Sequence, residues 1–418
     1  MNKVLSVPIP NSKFLINQKI FLENIIIYLA IFPWVSFGLN RMDSQPWVLI
    51  FLIIYFLFTR KIYKINIFFF WVFTIITIIL VNMFYIFSDI MSPGKFAQFF
   101  LLIRSISSYS IIILLWFFSI QIHKSRNPIF HYIIGSWIYV IYGLLQSYGY
   151  DFLDWMSYDR SSQERGVTSF APEPTHLGMI LFFLSWIIYN SVNKKDGKKT
   201  LLLAHCTIIF NILSIFFLAK SAMAILWIII AISVFSVRLI FSFKYLLYIS
   251  AVIMIIVSIF YFNYEFFHAS RAVQIALTFY RLGIMDYLIQ DWSFNSRASA
   301  IVLPIMGVIE NSGLPGGITS YPDVAMIINQ KLNNLFFTLT ASPKILSFNC
   351  TIIYEFGALA IFIYIFSFFI LRKEANWSNL EIILLFILLF SGVPMGTGLV
   401  GLLLGSKLIT DESFTNGK

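Results

Sequence analysis

The feature that most constrains this chain is its series of long apolar runs, such as IFFFWVFTIITIILVNMFYIF at 67–87. A helix needs ~20 mostly apolar residues to cross a bilayer, and a lipid-facing barrel would show short alternating segments instead. Only 11% of the chain is charged, against the about 25% of a soluble domain. The sequence therefore predicts an all-α, polytopic integral membrane helical bundle, taken as one transmembrane domain over 1–418.

Apolar runs of spanning length recur along the chain. We predict spans at 21–39, 46–59, 67–87, 97–121, 129–147, 177–192, 200–218, 221–237, 245–262 and 349–371. A last apolar stretch, 379–406, is too long for one helix, and GVPMGTG (392–398) interrupts it. We interpret this stretch as a hairpin, which gives about twelve spans.

Lysine and arginine are concentrated in every second connection between these spans, which places them on one side of the membrane. If the N-terminus is cytoplasmic, more than half of the 29 basic residues fall in inner segments, as is typical of cytoplasmic loops. This pattern predicts that both termini are cytoplasmic and that the long segments 148–176 and 263–348 lie outside, in the periplasm of a cell with two membranes. The net charge of +10 then needs no nucleic-acid partner.

The first outer loop ends in RGVTSFAPEPTHLG (165–178), which gathers Arg165, Glu173 and His176. Pro174 is typical of the first turn of a helix, so Glu173 is predicted at the N-cap of the next span, where free N–H groups favour anions. The alternative is that Glu173 only caps the helix and that His176 packs at the interface.

The second outer loop is long enough to form its own helices. Residues 269–290 have apolar positions at helical spacing and are predicted to lie along the membrane surface. Arg281 lies within this segment, and Arg297 follows it. Glycines around Pro315 (Gly313, Gly316 and Gly317) indicate either a close backbone approach to a ligand or a solvated turn.

Two charged residues, Arg104 and Glu355, are predicted inside spans near the outer side. Intramembrane ionisable residues indicate function by default, although an arginine can also extend its head group to the interface. Arginine dominates the outer cations, and its planar fork binds phosphate oxygens in pairs, which favours a phosphate-bearing ligand. Cys206 and Cys350 have no metal-ligand spacing and are interpreted as packing residues, so no metal and no cofactor are expected.

Together these features resemble the O-antigen polymerase (Wzy) family, within the bacterial O-antigen ligase and polysaccharide polymerase membrane proteins. RGVTSFAPEPTHLG looks like the family's Arg-Gly…Phe-x-Glu-Pro segment at the head of a span. Arg297, followed by fifteen residues and then Gly313, is similar to its Arg-x15-Gly pattern. YEFGALAIF (354–362) is similar to its Glu-x-Gly start of a late span. The layout of about twelve spans with two large outer loops also resembles the family.

The resemblance implies a glycosyltransferase at the periplasmic face of the bacterial inner membrane. The donor would be a growing glycan on undecaprenyl diphosphate, and the acceptor a single repeat unit on the same carrier. In this interpretation Glu173 is the catalytic base for the acceptor hydroxyl, and His176 orients substrate or shares that role. The substrate-binding residues would be Arg165 and Arg297 on the diphosphate, with Arg281, Arg104 and Glu355.

Two alternatives stay open. An O-antigen ligase uses the same donor but transfers the glycan to a lipid A core sugar, and a flippase moves the lipid-linked unit without chemistry. A flippase needs a charged cavity across the membrane, whereas the charges here gather near the outer side, which favours an enzyme. A polymerase would meet membrane lipid, a chain-length regulator and a separate flippase as partners.

Overall fold

The computed structural model describes residues 12–35, 47–59, 65–88, 95–156, 166–192, 197–239, 271–318, 320–337 and 345–407. Throughout these ranges the regular secondary structure is helical, and they contain no β-strand. The all-α class is therefore confirmed. The predicted span at 245–262 lies outside the described residues.

The helices fall into two groups along the chain. The first group is α1 (Ser12–Ile31), α2 (Trp47–Thr59), α3 (Ile65–Ser88), α4 (Lys95–Ser125), α5 (Ile129–Ser147), α6 (Pro174–Ser191), α7 (Lys198–Ser214) and α8 (Ala222–Leu239). A π-helical turn, Ile215–Ala219, extends α7. The second group is α9 (Arg271–Gln290), α10 (Trp292–Glu310), α11 (Tyr321–Lys331), α12 (Phe348–Phe356), α13 (Ala360–Glu374), α14 (Asn379–Leu389) and α15 (Gly398–Gly405).

Four helical stretches among the described residues are long and apolar enough to cross a membrane: Leu102–Ser125, Ile129–Ser147, Lys198–Ala219 and Phe348–Lys373. Shorter apolar helices are present at Trp47–Thr59, Phe69–Val81, Ala222–Val234 and Asn379–Leu389. These helices fit an integral membrane protein. The described part of the chain does not reach the predicted count of about twelve spans.

The first helix differs from the predicted span at 21–39. It begins at Ser12 and ends at Ile31, just before Pro33. A proline disfavours the helical conformation of the residue before it, so Pro33 sets the end of α1. Trp34 follows as a buried residue at this helix end.

The last apolar stretch, 379–406, forms two short helices instead of one long one. Lys407, just after α15, has its Nζ 2.7 Å from Oε2 of Glu381 in the first turn of α14. The chain therefore reverses between these helices, as a hairpin requires, but the prediction of two membrane spans here is not supported. At ~1.5 Å per residue, α14 and α15 extend only about 16 and 12 Å, so neither crosses a ~30 Å hydrocarbon core alone.

Helix α15 packs closely against α4 through a stripe of glycines at Gly398, Gly401 and Gly405. A Cβ added at Gly401 would lie 2.6 Å from the carbonyl oxygen of Ile112 and 2.7 Å from the Cβ of Leu115. The Ser119 hydroxyl of α4 donates a 2.7 Å hydrogen bond to the Leu402 carbonyl. Small residues that let backbones approach are the usual means of helix association in membranes.

We expect Gly401→Ala to destabilise the protein by ~1–3 kcal/mol, because overpacking a tight contact costs about that much. The midpoint of thermal unfolding in detergent should fall. Gly143→Ala in α5 is the matched control, since its added Cβ would meet side-chain atoms and no backbone, the nearest being a Val167 methyl at 3.3 Å. Equal midpoints for the two variants would contradict the close packing of α4 and α15.

One end of the bundle is held by ion pairs and is called the basic end. Here Arg126 Nε lies 3.1 Å from Oε2 of the buried Glu23. His123 Nε2, one turn earlier in α4, lies 3.0 Å from the Ser191 hydroxyl at the end of α6. Lys407 belongs to the same end, because Ser406 accepts a hydrogen bond from Asn190. The start of α6 is ~27 Å away, since α6 has 18 residues at ~1.5 Å each.

Candidate functional site

The segment before α6 folds back into the bundle. The Val167 amide donates to the Leu218 carbonyl at 3.0 Å, and the Ser169 amide donates to Gln146 Oε1 at 2.6 Å. The Ser169 hydroxyl donates to the Tyr139 carbonyl at 2.9 Å. Residues of the first predicted loop are thus buried between α5 and the π-helical turn, and they hold the start of α6 in place.

The close fit explains two residues of this segment. A Cβ at Gly166 would overlap the Leu218 and Ala219 carbonyls, so only glycine fits there. Ser169 has a φ of 52°, in the left-handed region that few residues other than glycine adopt. Phe170 stacks on Tyr142 with ring centroids 4.5 Å apart. Non-glycine residues in this region persist only where the surroundings enforce them, and they cluster at functional sites.

Glu173 occupies the N-cap position of α6, as predicted, with extended backbone angles and Pro174 after it. Within the described residues its side chain accepts no capping hydrogen bond. Its side chain is 30% exposed, and its Oε2 lies 3.9 Å from Nδ1 of His176. The carboxylate therefore approaches the His176 side chain instead of the free backbone N–H groups of α6, so a role as helix cap does not explain it.

His176 lies one turn into α6, and its imidazole meets the Trp34 ring edge to face, with centroids 5.1 Å apart. Its side chain is 19% exposed. Packing against Trp34 restricts the ring while one nitrogen faces Glu173. His176 therefore packs against Trp34, as the alternative interpretation expected, and it also lies close to Glu173.

The two predicted outer loops meet at Arg297. This residue lies in α10, and its Nη2 donates a 3.1 Å hydrogen bond to Oγ1 of Thr175 in the first turn of α6. The contact joins residues 122 positions apart in the chain. Glu173, Thr175, His176 and Arg297 therefore form one polar group at the start of α6, which we call the interloop site. Thr175 was missed by the sequence analysis, because a threonine between proline and histidine carries no distinctive signal.

A fully buried asparagine fixes the helix that carries Arg297. Asn295 donates from Nδ2 to the Leu288 and Leu335 carbonyls at 3.1 and 3.0 Å, and its Oδ1 accepts from the Phe337 amide at 3.2 Å. Asp291 caps α10 by accepting from the Phe294 amide. Buried polar networks of this kind rigidify a structure when every member is satisfied. In the sequence Asn295 stands two residues before Arg297, but nothing in the local pattern indicates that this asparagine is buried.

Glu355 lies in α12 and forms a second polar group with α4. Its Oε2 accepts hydrogen bonds from the Tyr109 hydroxyl at 2.7 Å and the Ser105 hydroxyl at 3.4 Å. Arg104, beside Ser105 in sequence, has an exposed side chain. The structure thus brings Glu355 to the helix that carries Arg104, with hydroxyl groups as its immediate partners.

The glycine turn of the second loop docks on a break in the helix that follows it. Gly357 separates α12 from α13 with a φ of 55°. The Ala358 amide donates to the Gly313 carbonyl, and the Gly316 amide donates to the Tyr354 carbonyl, both at 2.8 Å. The glycines therefore allow backbone to approach backbone. Gly316 and Gly317 are buried in this contact, whereas Asn311, Ser312 and Leu314 at the start of the turn are exposed.

A tyrosine pair packs beside this turn. Tyr321 meets Tyr354 edge to face, with ring centroids 5.3 Å apart. Burial raises the pKa of the Tyr321 phenol above its ordinary value, since the charged form is disfavoured away from water. The Tyr321 side chain is buried against Tyr354, so it is a packing residue.

Two predicted site residues remain, Arg281 and Arg165. Arg281 is exposed on α9, and Arg165 lies outside the described residues. Cys206 and Cys350 are free thiols. Among the described residues, no group of three or more His, Cys, Asp or Glu side chains could hold a metal ion. No family model matches this chain, and neither a curated protein nor a solved structure matches it.

Proposed function

We propose that this chain is a glycosyltransferase that polymerises undecaprenyl-diphosphate-linked oligosaccharide repeat units into a surface polysaccharide such as O-antigen. The observation that carries the proposal is the 3.1 Å contact between Arg297 and Thr175. This contact brings an arginine, a type of side chain that binds phosphate, to Thr175, which stands between Glu173 and His176 in the sequence. Glycosyl transfer without a metal needs two groups from the protein. One is a base that takes the proton of the nucleophile, and the other is a cation that neutralises the leaving group.

The chemistry assigns one role to each group. The acceptor hydroxyl oxygen attacks the anomeric carbon of the donor glycan, and Glu173 takes the hydroxyl proton. The bond from that carbon to the diphosphate oxygen breaks, and undecaprenyl diphosphate leaves with the electron pair. Arg297 and Arg165 neutralise the leaving group through charge-assisted hydrogen bonds. His176 orients the acceptor or shares the proton.

Three further residues have supporting roles in the proposal. Arg281 or Arg104 assists the first two arginines on the diphosphate. Glu355 contacts substrate sugar from the α4 side. The reaction needs no cofactor, and the partners are the lipid carrier, a chain-length regulator and a separate flippase.

The proposed topology places the interloop site in the periplasm and both termini in the cytoplasm of a cell with an inner membrane. The basic end lies ~27 Å from the start of α6, which is close to the ~30 Å of a hydrocarbon core. Lys19, Arg126 and Lys407 all form ion pairs at that end. This separation supports an orientation with the basic end inside.

Deleting the gene tests the reaction class. We expect lipid A core to carry at most one repeat unit, because ligation continues after polymerisation stops. Electrophoresis of the surface glycan measures how many repeat units each core carries. Bare core together with full-length polymer on the lipid carrier would identify a ligase instead, and single units trapped on the cytoplasmic leaflet would identify a flippase.

A further inference from the structure

A groove runs between α3 and α13 on the outside of the bundle, away from the interloop site. It encloses a cavity of about 380 Å³, within the ~300–1,000 Å³ that is usual for ligand sites. Its lining is phenylalanine, isoleucine and one lysine, namely Phe69, Phe70, Phe73, Phe366, Phe369, Ile370 and Lys373. We call it the phenylalanine groove.

The groove has an apolar floor and exposed walls. Phe70 and Ile370 are buried beneath it, whereas Phe69 and Phe369 are each 61% exposed. Phe73 and Phe366 face each other with ring centroids 6.1 Å apart. Phenylalanine and isoleucine side chains are more stable against hydrocarbon than against water. An acyl chain in the groove would therefore cover these apolar surfaces favourably.

Lys373 closes the groove at the basic end of the bundle. The preceding residue, Arg372, donates from Nη1 to Oδ1 of Asn379 at 2.9 Å, at the start of the helix whose Glu381 pairs with Lys407. Lys373 is exposed in the last turn of α13. A long basic side chain at a helix end reaches the interface, where lipid phosphates lie.

We propose that the phenylalanine groove binds one anionic phospholipid, with an acyl chain between α3 and α13 and its phosphate on Lys373. The charge at one end and the hydrocarbon lining along the rest match the two parts of such a lipid. Basic pockets between membrane helices bind anionic head groups for this reason. The site is independent of the proposed polymerase reaction and lies at the opposite end of the bundle.

Native mass spectrometry of the purified full chain tests the head-group contact. Phosphatidylglycerol is titrated against phosphatidylcholine, and bound lipid is counted. A basic residue near the surface contributes ~1 kcal/mol to anionic lipid binding, so Lys373→Gln should weaken phosphatidylglycerol binding about fivefold. Arg372→Gln is the matched control and should keep the preference, because Arg372 is turned to Asn379. Equal losses in both variants would overturn the assignment to this groove.

A second pair of variants tests the acyl chain. Phe369→Ala should weaken the binding of both lipids, because it removes an exposed wall of the groove. Phe58→Ala on α2 is the control, since Phe58 is 75% exposed and lies outside the groove. Unchanged lipid binding in Phe369→Ala would refute the proposal. A dimer that Phe369→Ala dissociates would refute it as well, since the groove would then hold a second copy of the chain.

Discussion

Arg297→Ala is expected to lower the rate of glycan polymerisation roughly 100- to 1,000-fold, the usual loss when one preorganised group that stabilises developing charge is removed. Arg297 reaches the start of α6 through its 3.1 Å hydrogen bond to Thr175, so in the proposed reaction its charge is in place before the diphosphate departs. Elongation of lipid-linked repeat units by the purified protein measures the loss. Arg297→Lys should recover only part of the rate, because an ammonium lacks the planar fork.

The control for this variant lies in the same part of the chain. Lys331 is a cation of α11 whose Nζ pairs with Glu310 at 2.6 Å, so Lys331→Ala removes a positive charge without touching the interloop site. It should polymerise at the unchanged rate. If Arg297→Ala and Lys331→Ala gave the same rate, the diphosphate role of Arg297 would be wrong.

Glu173→Gln is expected to reduce polymerisation ~100-fold or more, because a general base contributes 10²–10⁴-fold and an amide cannot take the proton. The substitution keeps the side chain nearly the same size, so the 3.9 Å approach to His176 and the start of α6 should remain. The turnover rate at saturating acceptor is the measurement. Binding of the donor lipid should change little, since the proposal assigns that role to the arginines.

Two further variants identify the base. Glu310→Gln, at the far end of α10, should leave the rate unchanged. His176→Gln should cost less than Glu173→Gln if the histidine only orients the acceptor. A normal rate in Glu173→Gln combined with an inactive His176→Gln would transfer the role of base to His176.

Much of the helical fold was predictable because lipid-facing helices need long apolar runs, and these are visible in the sequence. The helices α4, α5 and α6 begin within a few residues of the predicted spans. The break at Gly357 and the shortness of α14 and α15 were not predicted. The break at Gly357 depends on the hydrogen bond from the Ala358 amide to the Gly313 carbonyl. The shortness of α15 goes with its close packing against α4.

The candidate site was predictable only in part. Glu173 at the N-cap and its closeness to His176 follow from local rules for helix starts. The family resemblance also implied that Arg297 of the second loop shares a diphosphate with Arg165 of the first loop. The hydroxyl partners, Thr175 for Arg297 and Tyr109 for Glu355, were not found, because each contact joins residues more than a hundred positions apart. Patterns within a short stretch of sequence cannot indicate contacts between such distant residues.

Reconstitution of the purified chain tests the central claim most directly. The protein is placed in liposomes with defined repeat units on undecaprenyl diphosphate, without nucleotide sugar and with a metal chelator present. The proposal predicts a ladder of longer lipid-linked glycans that forms at the same rate with and without the chelator. Arg297→Ala and Glu173→Gln should each form this ladder at least ~100-fold more slowly. Units that stay single with the unaltered protein, or a ladder that both variants still produce at the full rate, would contradict the interloop site as a polymerase.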